Sequence, residues 1–375
     1  MRGTAWILIL VTIFVCLSGR GRVQAEELEE KTSTGESTEK NDFGLEILNG
    51  RAQLAAVPIP AYNESIGWSL GIAVAGYYKL NEADTISPES VTALFGFYAE
   101  NKTWAAGAFQ KFHFDEDRWR VQFGGITGKI NFQTFFNLPS WAGGGTFIDY
   151  SSDMTLALVQ GSRLAWKRLY LGAKYRYMRS RTVFDIDLPV DPETRTFSGL
   201  GIVTTWDSRD NIFYPLKGYY IDFWTLWNGE WIGSDQDYDI YHFEASGFRE
   251  YRKNHVVAAR IHSRIASGDV PFEDESVFFY TDLRGYTDGR YRADQRHTAQ
   301  AEYRWNFWKR FSGVCFGGFG WSVDKVSEIT WDGILPSGGL GVRWRMISDP
   351  PVNIGIDYAW GKEERVIYFR IGEAF

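Results

Sequence analysis

The residues of this chain that could do chemistry together are histidines, an acid and a serine on two neighbouring segments. His242, Glu244, His262 and Ser263 would be the members of a hydrolytic serine–histidine–acid set. Such a set needs all of its members within hydrogen-bonding reach of one another. Adjacent side chains of a strand point to opposite faces, which places Ser263 opposite His262. The pattern favours a histidine in a hydrogen-bonded wall, so we expect no catalytic residues and no enzyme.

An acidic cluster is the second candidate for chemistry, as either a catalytic or a metal-binding site. Asp207, Arg209 and Asp210 are followed by Pro215 and Gly218. Aspartate, proline and glycine in this order are typical of a turn whose side chains cap the backbone. The histidines and cysteines show no His-x-x-x-His or Cys-x-x-Cys spacing of a metal site. We therefore predict a structural turn, with no metal and no cofactor.

The N-terminus has the organisation of a secretory signal. Arg2 precedes an apolar run, 6–17, and residues 23–25 form a small-residue cleavage site. The run of about a dozen residues is shorter than the roughly 20 that cross a bilayer, so we predict a cleaved signal peptide, 1–25, rather than an uncleaved anchor. Residues 26–42 are acidic and polar and predict a disordered linker.

The composition favours a barrel in a membrane. Aromatic residues make up 17% of the chain, the formal net charge is −7 and the mean hydropathy is −0.28. The acidic balance argues against a nucleic-acid partner, because such proteins usually carry a basic face. Many aromatics without a long apolar segment are typical of a transmembrane β-barrel, whose strands face lipid at every second residue. A soluble all-β protein is the alternative, but it would not need so many aromatic side chains.

Strict alternation of apolar and charged residues supports the barrel. It is clearest in four stretches: 168–178, 238–250, 256–266 and 298–307. In the last of them Tyr303 and Trp305 lie on the face opposite Glu302 and Arg304. A charge that faced lipid at mid-depth would cost about 2–4 kcal/mol. We therefore expect the charged faces to line the lumen of the barrel. The outer face of the barrel is then the surface that contacts outer-membrane lipid as a partner.

The strand pattern predicts one antiparallel barrel domain over 43–375. Fifteen strands can be read from residue 67 onward, whereas bacterial barrels usually have an even count, here about 16. The missing strand is expected within 43–57, before Pro58 and Pro60 break it, or from a split in 119–164.

The links between strands predict the orientation of the barrel. Short links such as Asn101 and Lys309-Arg310 are expected to be periplasmic turns. Longer polar links are expected to face outward: 81–89, 134–152, 182–194, 229–237, 268–296 and 324–334.

The last strand resembles the signal by which outer-membrane barrels are recognised for assembly. Ile367, Phe369 and Ile371 alternate on one face, and Phe375 closes the chain with an aromatic side chain. An ordinary amphipathic strand that ends in phenylalanine is the alternative. Together with the signal peptide, this pattern predicts the outer membrane of a Gram-negative bacterium.

Two short motifs give the chain a resemblance to a known family. Leu283-Arg284-Gly285-Tyr286 lies in the predicted 268–296 loop. Trp206 to Asn211 is followed by Phe213-Tyr214-Pro215 and Gly218. In this order, within a run of barrel strands, they resemble the motifs of the BamA/TamA family of outer-membrane proteins, also called the bacterial surface antigen family.

The resemblance implies that the loop folds into the lumen and that acids on the barrel wall hold Arg284. Glu302 matches the family's first acidic position, and a carboxylate is the best partner of a guanidinium. The second acidic position is occupied by Gly318. We therefore expect a one-sided anchor, unless Glu244 helps to hold the arginine.

The resemblance also implies a role in envelope biogenesis, by insertion or translocation of a protein or lipid client. Family members with that role carry periplasmic POTRA domains, and the roughly 40 residues between cleavage site and barrel are too few for even one domain of the usual size. We therefore expect a form without POTRA domains that works with a periplasmic or POTRA-bearing partner. The alternatives are a plain pore or structural barrel and, less favoured, a barrel hydrolase.

Overall fold

One antiparallel sheet makes up most of the structure. The computed structural model describes residues 44–45, 52–63, 66–136, 146–185, 194–211, 214–278, 281–286, 290–347 and 352–375. The predicted signal peptide and linker lie outside these residues. Within them, sixteen long strands each pair with the next in chain order. The predicted fold class, all-β with about 16 antiparallel barrel strands, is confirmed.

The strands are numbered here in chain order. The first eight are β1 Ala52–Asn63, β2 Gly67–Tyr78, β3 Ser90–Ala99, β4 Trp104–Phe114, β5 Trp119–Phe136, β6 Thr146–Trp166, β7 Leu169–Phe184 and β8 Thr194–Asp207. The last eight are β9 Lys217–Asn228, β10 Tyr238–Arg252, β11 His255–Gly268, β12 Gln295–Trp308, β13 Phe311–Val323, β14 Leu335–Ile347, β15 Val352–Trp360 and β16 Arg365–Ile371. The described residues contain no helix that is long and apolar enough to span a membrane.

The sheet curls around the link between β11 and β12, which is called the lumen loop here (269–294). Phe272 of this loop packs against Tyr150 on β6 and Phe184 on β7, with ring centroids 5.4 and 5.1 Å apart. Arg284 of the same loop contacts Glu302 on β12. One segment thus touches strands that are far apart in the sheet, which places the lumen loop on the inner face.

Because neighbouring strands are antiparallel, the links alternate between two ends of the sheet. One end, called the loop end, holds the links 100–103, 229–237, 269–294, 324–334 and 361–364. The other, called the turn end, holds the links 79–89, 115–118, 167–168, 253–254 and 309–310. Nine strands, β4 to β12, separate Asn101 from Lys309-Arg310. An odd number of strands carries the chain to the opposite end, so the prediction that both links are periplasmic turns is wrong. The grouping of 81–89 with the longer loops is wrong for the same reason.

The outer face has an apolar middle and aromatic borders. Exposed aliphatic side chains between the two ends include Leu70, Ile72, Leu94, Val159, Leu171, Ile202, Val257, Ile261, Leu340, Val342 and Ile356. Exposed aromatic side chains lie toward the loop end (Trp68, Tyr98, Trp104, Trp231 and Trp360) and toward the turn end (Trp119, Trp166, Tyr219, Tyr251, Trp308 and Trp344). An outward apolar band between two aromatic girdles is the surface of a transmembrane barrel.

The strand missing from the sequence-based count is β1. It passes through Pro58 and Pro60, which pair with Ile72 and Leu70 of β2, so the prediction that these prolines break the strand is wrong. Residues two apart in a strand direct their N–H groups to the same side, and proline is tolerated where that side faces away from the paired strand. The two missing donors of Pro58 and Pro60 therefore fall on one and the same side of β1.

Candidate functional site: the lumen-loop anchor

The lumen loop buries its motif against the last five strands. Leu283 and Arg284 are 0% exposed, and Tyr286 is 1% exposed. A short ladder of Ser276–Val277 with Arg292–Ala293 closes the base of the loop. The ladder fixes the two ends of the loop, so the segment between them projects as a finger along the inner face.

Arg284 has carboxylates on its guanidinium edge and an aromatic ring on its face. Its Nη1 lies 2.7 Å from Glu302 Oε2 and 3.2 Å from Asp357 Oδ2. The guanidinium carbon lies 3.4 Å from the centroid of the Phe316 ring. Stacking on a ring while bonding carboxylates in the plane is an arrangement that arginine permits and lysine does not. The structure thus brings Arg284 and Glu302 together, as the sequence predicts.

The expected one-sided anchor is wrong, because Asp357 on β15 supplies a second carboxylate. Glu244 does not take this place; its Oε1 accepts a hydrogen bond from Ser246 on the same strand. Gly318 has no room for the missing acid, since a Cβ there would lie 2.4 Å from the carbonyl oxygen of Ala299. Asp357 could have been found from the alternation of β15, in which it is the inward charge.

The acids that hold Arg284 belong to a closed circuit of alternating charges, called the charge ring here. Its members in order are Arg284, Glu302, Arg304, Glu373, Arg343 and Asp357. The successive N···O distances are 2.7, 2.7, 3.7, 3.4, 2.6 and 3.2 Å. All six side chains are at most 2% exposed. Buried charges are tolerated when they are paired, and each acid of the ring contacts two of its arginines. Asp357 also contacts a third arginine, Arg370, at 2.9 Å.

Gly285 and Tyr286 fix the backbone beside the arginine. Gly285 has φ +106°, and a Cβ there would lie 2.6 Å from the carbonyl oxygen of Trp360, so only glycine fits without strain. Its N–H donates to the Tyr368 hydroxyl at 3.0 Å, and this hydroxyl donates to the Tyr286 carbonyl at 2.8 Å. The Tyr286 hydroxyl donates to the Pro336 carbonyl at 2.5 Å. The tetrad is thus bonded to β14 and β16 as well as to the charge ring.

A second acid of the loop, Asp282, pairs with the strands on the other side of the finger. It lies 2.7 Å from Arg296 Nη1 and 3.1 Å from His262 Nδ1. Burial alone would raise the pKa of Asp282, but the charge of Arg296 and the contact with His262 lower it to about 2. Asp282 is therefore charged at neutral pH and adds a second ionic contact to the docked loop. The sequence reasoning missed this contact.

The inner wall does not assemble a hydrolytic set. His262 Nε2 lies 3.3 Å from His242 Nδ1, and the two share the inner face with Asp282. Ser263 points the other way, and its hydroxyl lies 2.8 Å from Nδ1 of His297. Among the described residues no group of three histidine, cysteine or acidic side chains could hold a metal ion.

The Asp207 cluster forms a capped turn between β8 and β9. Arg209 bonds the Asp207 carboxylate through Nε and Nη2, at 2.9 and 2.8 Å. One oxygen of Asp210 accepts three backbone N–H groups, from Asn211, Leu216 and Lys217.

The end of this turn is also sterically fixed. Gly218 has φ +107°, and a Cβ there would lie 2.2 Å from the carbonyl oxygen of Ser208. Pro215 is buried within the turn. Phe213 lies outside the described residues, so that part of the motif cannot be placed.

The terminal aromatic does not extend the outer face of the last strand. Ile367 is 59% exposed on that face, and the side chains of Phe369 and Ile371 lie outside the described residues. β16 ends at Ile371, and Gly372, at φ +82°, redirects the chain. The Phe375 ring then lies inside, 6.4 Å from the Phe248 ring, and the assembly signal read from Ile367, Phe369, Ile371 and Phe375 stays a prediction. The inward turn is what allows Glu373 to complete the charge ring.

Comparison with known proteins identifies the family. Residues 173–375, which include the capped turn, the lumen loop and the charge ring, match the Omp85 superfamily domain. The chain belongs to the Omp85 superfamily. The resemblance to BamA/TamA proteins predicted from the motifs is thereby confirmed. No curated protein matches the chain in sequence.

Solved structures of Omp85-type barrels share this fold. One is BamA from Haemophilus ducreyi lacking POTRA domains 1–3, with a TM-score of 0.60, 12% identity, and coverage of 85% of this chain and 69% of that one. CdiB from Acinetobacter baumannii has a TM-score of 0.59 and 12% identity, over 86% of this chain and 60% of that one. CdiB from Escherichia coli has a TM-score of 0.61 and 10% identity, over 87% and 63%. The chain thus spans less than two thirds of either CdiB protein.

Proposed function

We propose that the chain is an outer-membrane barrel of a Gram-negative bacterium. Members and structural neighbours of this superfamily are outer-membrane barrels, which supports the location. The apolar band and the two aromatic girdles of the outer face support a membrane-spanning position independently. The predicted orientation, with the lumen loop outside and the turn end in the periplasm, is part of this proposal.

We propose further that the protein acts in envelope biogenesis, handling a protein or lipid client together with a partner. The observation that carries this proposal is the lumen loop, which the buried charge ring holds inside the barrel. A pore that conducts solutes needs an open lumen, whereas a protein that handles its client at the outer wall of the barrel can keep the lumen filled. A separate partner that collects the client is part of the proposal.

Client handling is expected at the outer wall of the seam between β1 and β16, the first and last strands, which are neighbours in the sheet. A photo-crosslinking residue in place of Ile367 on β16 should capture a client in growing cells. The same residue in place of Val159 on β6 is the matched control, because Val159 is similarly exposed on a distant strand. Equal capture at both positions, or capture at neither, would contradict client handling at this wall.

We infer a non-catalytic role for the inner histidines. The separation of Ser263 from His262 by the wall supports this inference, because the Ser263 hydroxyl contacts His297 on the other face and not the His262–Asp282 pair. A purified His262→Ala variant and the parent should show equal, background-level hydrolysis of acyl esters. Measurable hydrolysis that the variant loses would support the hydrolase alternative instead.

A further inference from the structure

Three tight turns at the turn end share an aromatic residue followed by two basic residues. They are Trp166-Lys167-Arg168, Tyr251-Arg252-Lys253 and Trp308-Lys309-Arg310, and are called the basic turns here. They join β6 to β7, β10 to β11 and β12 to β13, so they lie along one arc of the same rim. The repetition on three separate hairpins indicates that an aromatic residue and two cations serve a common purpose along this arc of the rim.

Each aromatic residue stands at the border of the outward apolar band. Trp166, Tyr251 and Trp308 are 57 to 59% exposed. The register of the strand pair shifts by one residue just before each turn, at 164/166, 250/252 and 306/308. Such a bulge re-aims the side chains beside it. Trp166 packs against Trp206 with ring centroids 6.0 Å apart, and Trp308 stacks on Phe311 at 5.7 Å.

The basic side chains of these turns are exposed and uncompensated. None of the six has a carboxylate within ion-pair distance among the described residues, and all six are exposed. Other arginines of the links are paired, as the exposed Arg118 is with Glu116 and the partly buried Arg290 with Glu363.

At this end Asp84 and 115–117 lie on the links of β2 to β5, outside the arc. The acids within the arc have other contacts: Asp207 bonds Arg209, and Asp210 accepts backbone N–H groups of its own turn. Glu250 accepts the backbone N–H of Asn254.

Two of the lysines occupy backbone positions that lysine rarely takes. Lys167 has φ +50° and Lys309 has φ +41°, in the left-handed region. Glycine and asparagine adopt this conformation readily and are the usual residues of tight hairpins, whereas lysine adopts it at a cost. The lysine ammonium groups lie 4.5 Å from the Trp166 ring and 5.8 Å from the Trp308 ring. The charge is thus kept beside the aromatic border despite the backbone cost.

We propose that the basic turns bind the phosphate groups of anionic phospholipids in the membrane leaflet at the turn end. The aromatic residue lies at the interface, and the paired cations beyond it reach the headgroups, where each basic residue near an anionic surface adds attraction. A lipid surface fits better than a protein, because the three turns follow the outer rim and continue the apolar band. This inference rests on the proposed membrane location and goes beyond the proposed role in biogenesis.

Lipid retention by the purified, folded chain tests the proposal. After incubation with equal amounts of phosphatidylglycerol and phosphatidylcholine in detergent, native mass spectrometry should show preferential retention of phosphatidylglycerol. A variant with glutamine at all six basic positions should lose this preference by roughly tenfold, given the attraction expected of each charge. A variant with lysine and arginine exchanged at the same positions should keep it.

A matched control removes six exposed basic side chains toward the loop end. Its positions are Lys102, Arg179, Arg181, Arg195, Lys325 and Lys362. This control should retain phosphatidylglycerol as the parent does; an equal loss would show a general charge effect and overturn the proposal. Absence of any preference in the parent would also overturn it, as would full displacement of the lipid by millimolar inorganic phosphate. A heat-resistant folded band on gels establishes folding for every variant, and failure of the crosslinking experiment leaves this result unaffected.

Discussion

At the residue scale, Arg284 is completely buried and pairs with two carboxylates through a single nitrogen, Nη1. Its two carboxylates come from β12 and β15, and each of them also contacts another arginine. A buried ion pair adds little net stability compared with an apolar pair, but removal of one partner leaves a charge without compensation. The importance of the Arg284 contacts is therefore measured by the loss of folding stability when one partner is removed.

Arg284→Ala and Glu302→Ala should each lower the free energy of unfolding by about 3–5 kcal/mol. Because the two atoms in contact lie 2.7 Å apart, the double variant should be no worse than the more damaging single variant. The temperature at which the folded band is lost on gels measures this. Strictly additive losses would contradict the pairing.

The control for this pair is Arg290→Ala on the same loop. Arg290 also contacts two acids, Glu363 and Glu364, but its side chain is 33% exposed. Exposed ion pairs contribute about 0–1 kcal/mol, so this variant should unfold close to the parent. A loss as large as that of Arg284→Ala would mean that any loop contact matters equally.

The sequence predicts some residues of the charge ring, whereas others depend on tertiary structure. Arg284 and Glu302 were accessible because a motif and the alternation of β12 both point to them. Asp357 was accessible from alternation alone. Glu373 was not, because its place in the ring depends on the left-handed Gly372 and on a tail that turns inward, which no periodic pattern encodes.

At the element scale, alternation located fifteen of the strands, and proline chemistry hid the sixteenth. Pro58 and Pro60 were expected to break the strand, yet both lie within β1, in register with Ile72 and Leu70 of β2. The side of a strand to which its missing N–H donors point is a tertiary fact that composition does not carry. The end of the barrel at which each link lies, in contrast, follows from the number of strands that precede it. The prediction placed Asn101 and 81–89 at the wrong end because it used the length of the links instead of this number.

At the scale of the whole molecule, the lumen is occupied from two sides. Val270 and Phe272 of the lumen loop join an apolar cluster that includes Tyr150, Met178 and Phe197. Arg284 of the same loop closes the charge ring on the opposite wall. The loop thus crosses the lumen rather than lying along one side of it.

In planar bilayers the parent protein should be mostly closed, with brief flickering openings, because the loop crosses the lumen. Glu302→Ala combined with Asp357→Ala should release Arg284 and increase the open time by at least roughly tenfold, if the anchor holds a few kcal/mol. Single-channel recording measures this. A large and steady conductance of the parent would instead favour a plain pore.

The charge ring also sets an order of events during synthesis and assembly. Its members come from the lumen loop, β12, β14, β15 and finally Glu373, beyond the last strand. Until Glu373 is made and turned inward, Arg304 and Arg343 each lack one of their carboxylates, and burying them is costly. The loop can therefore settle fully only after the latest segment has reached its place, so that docking of the loop reports that the wall around it is complete.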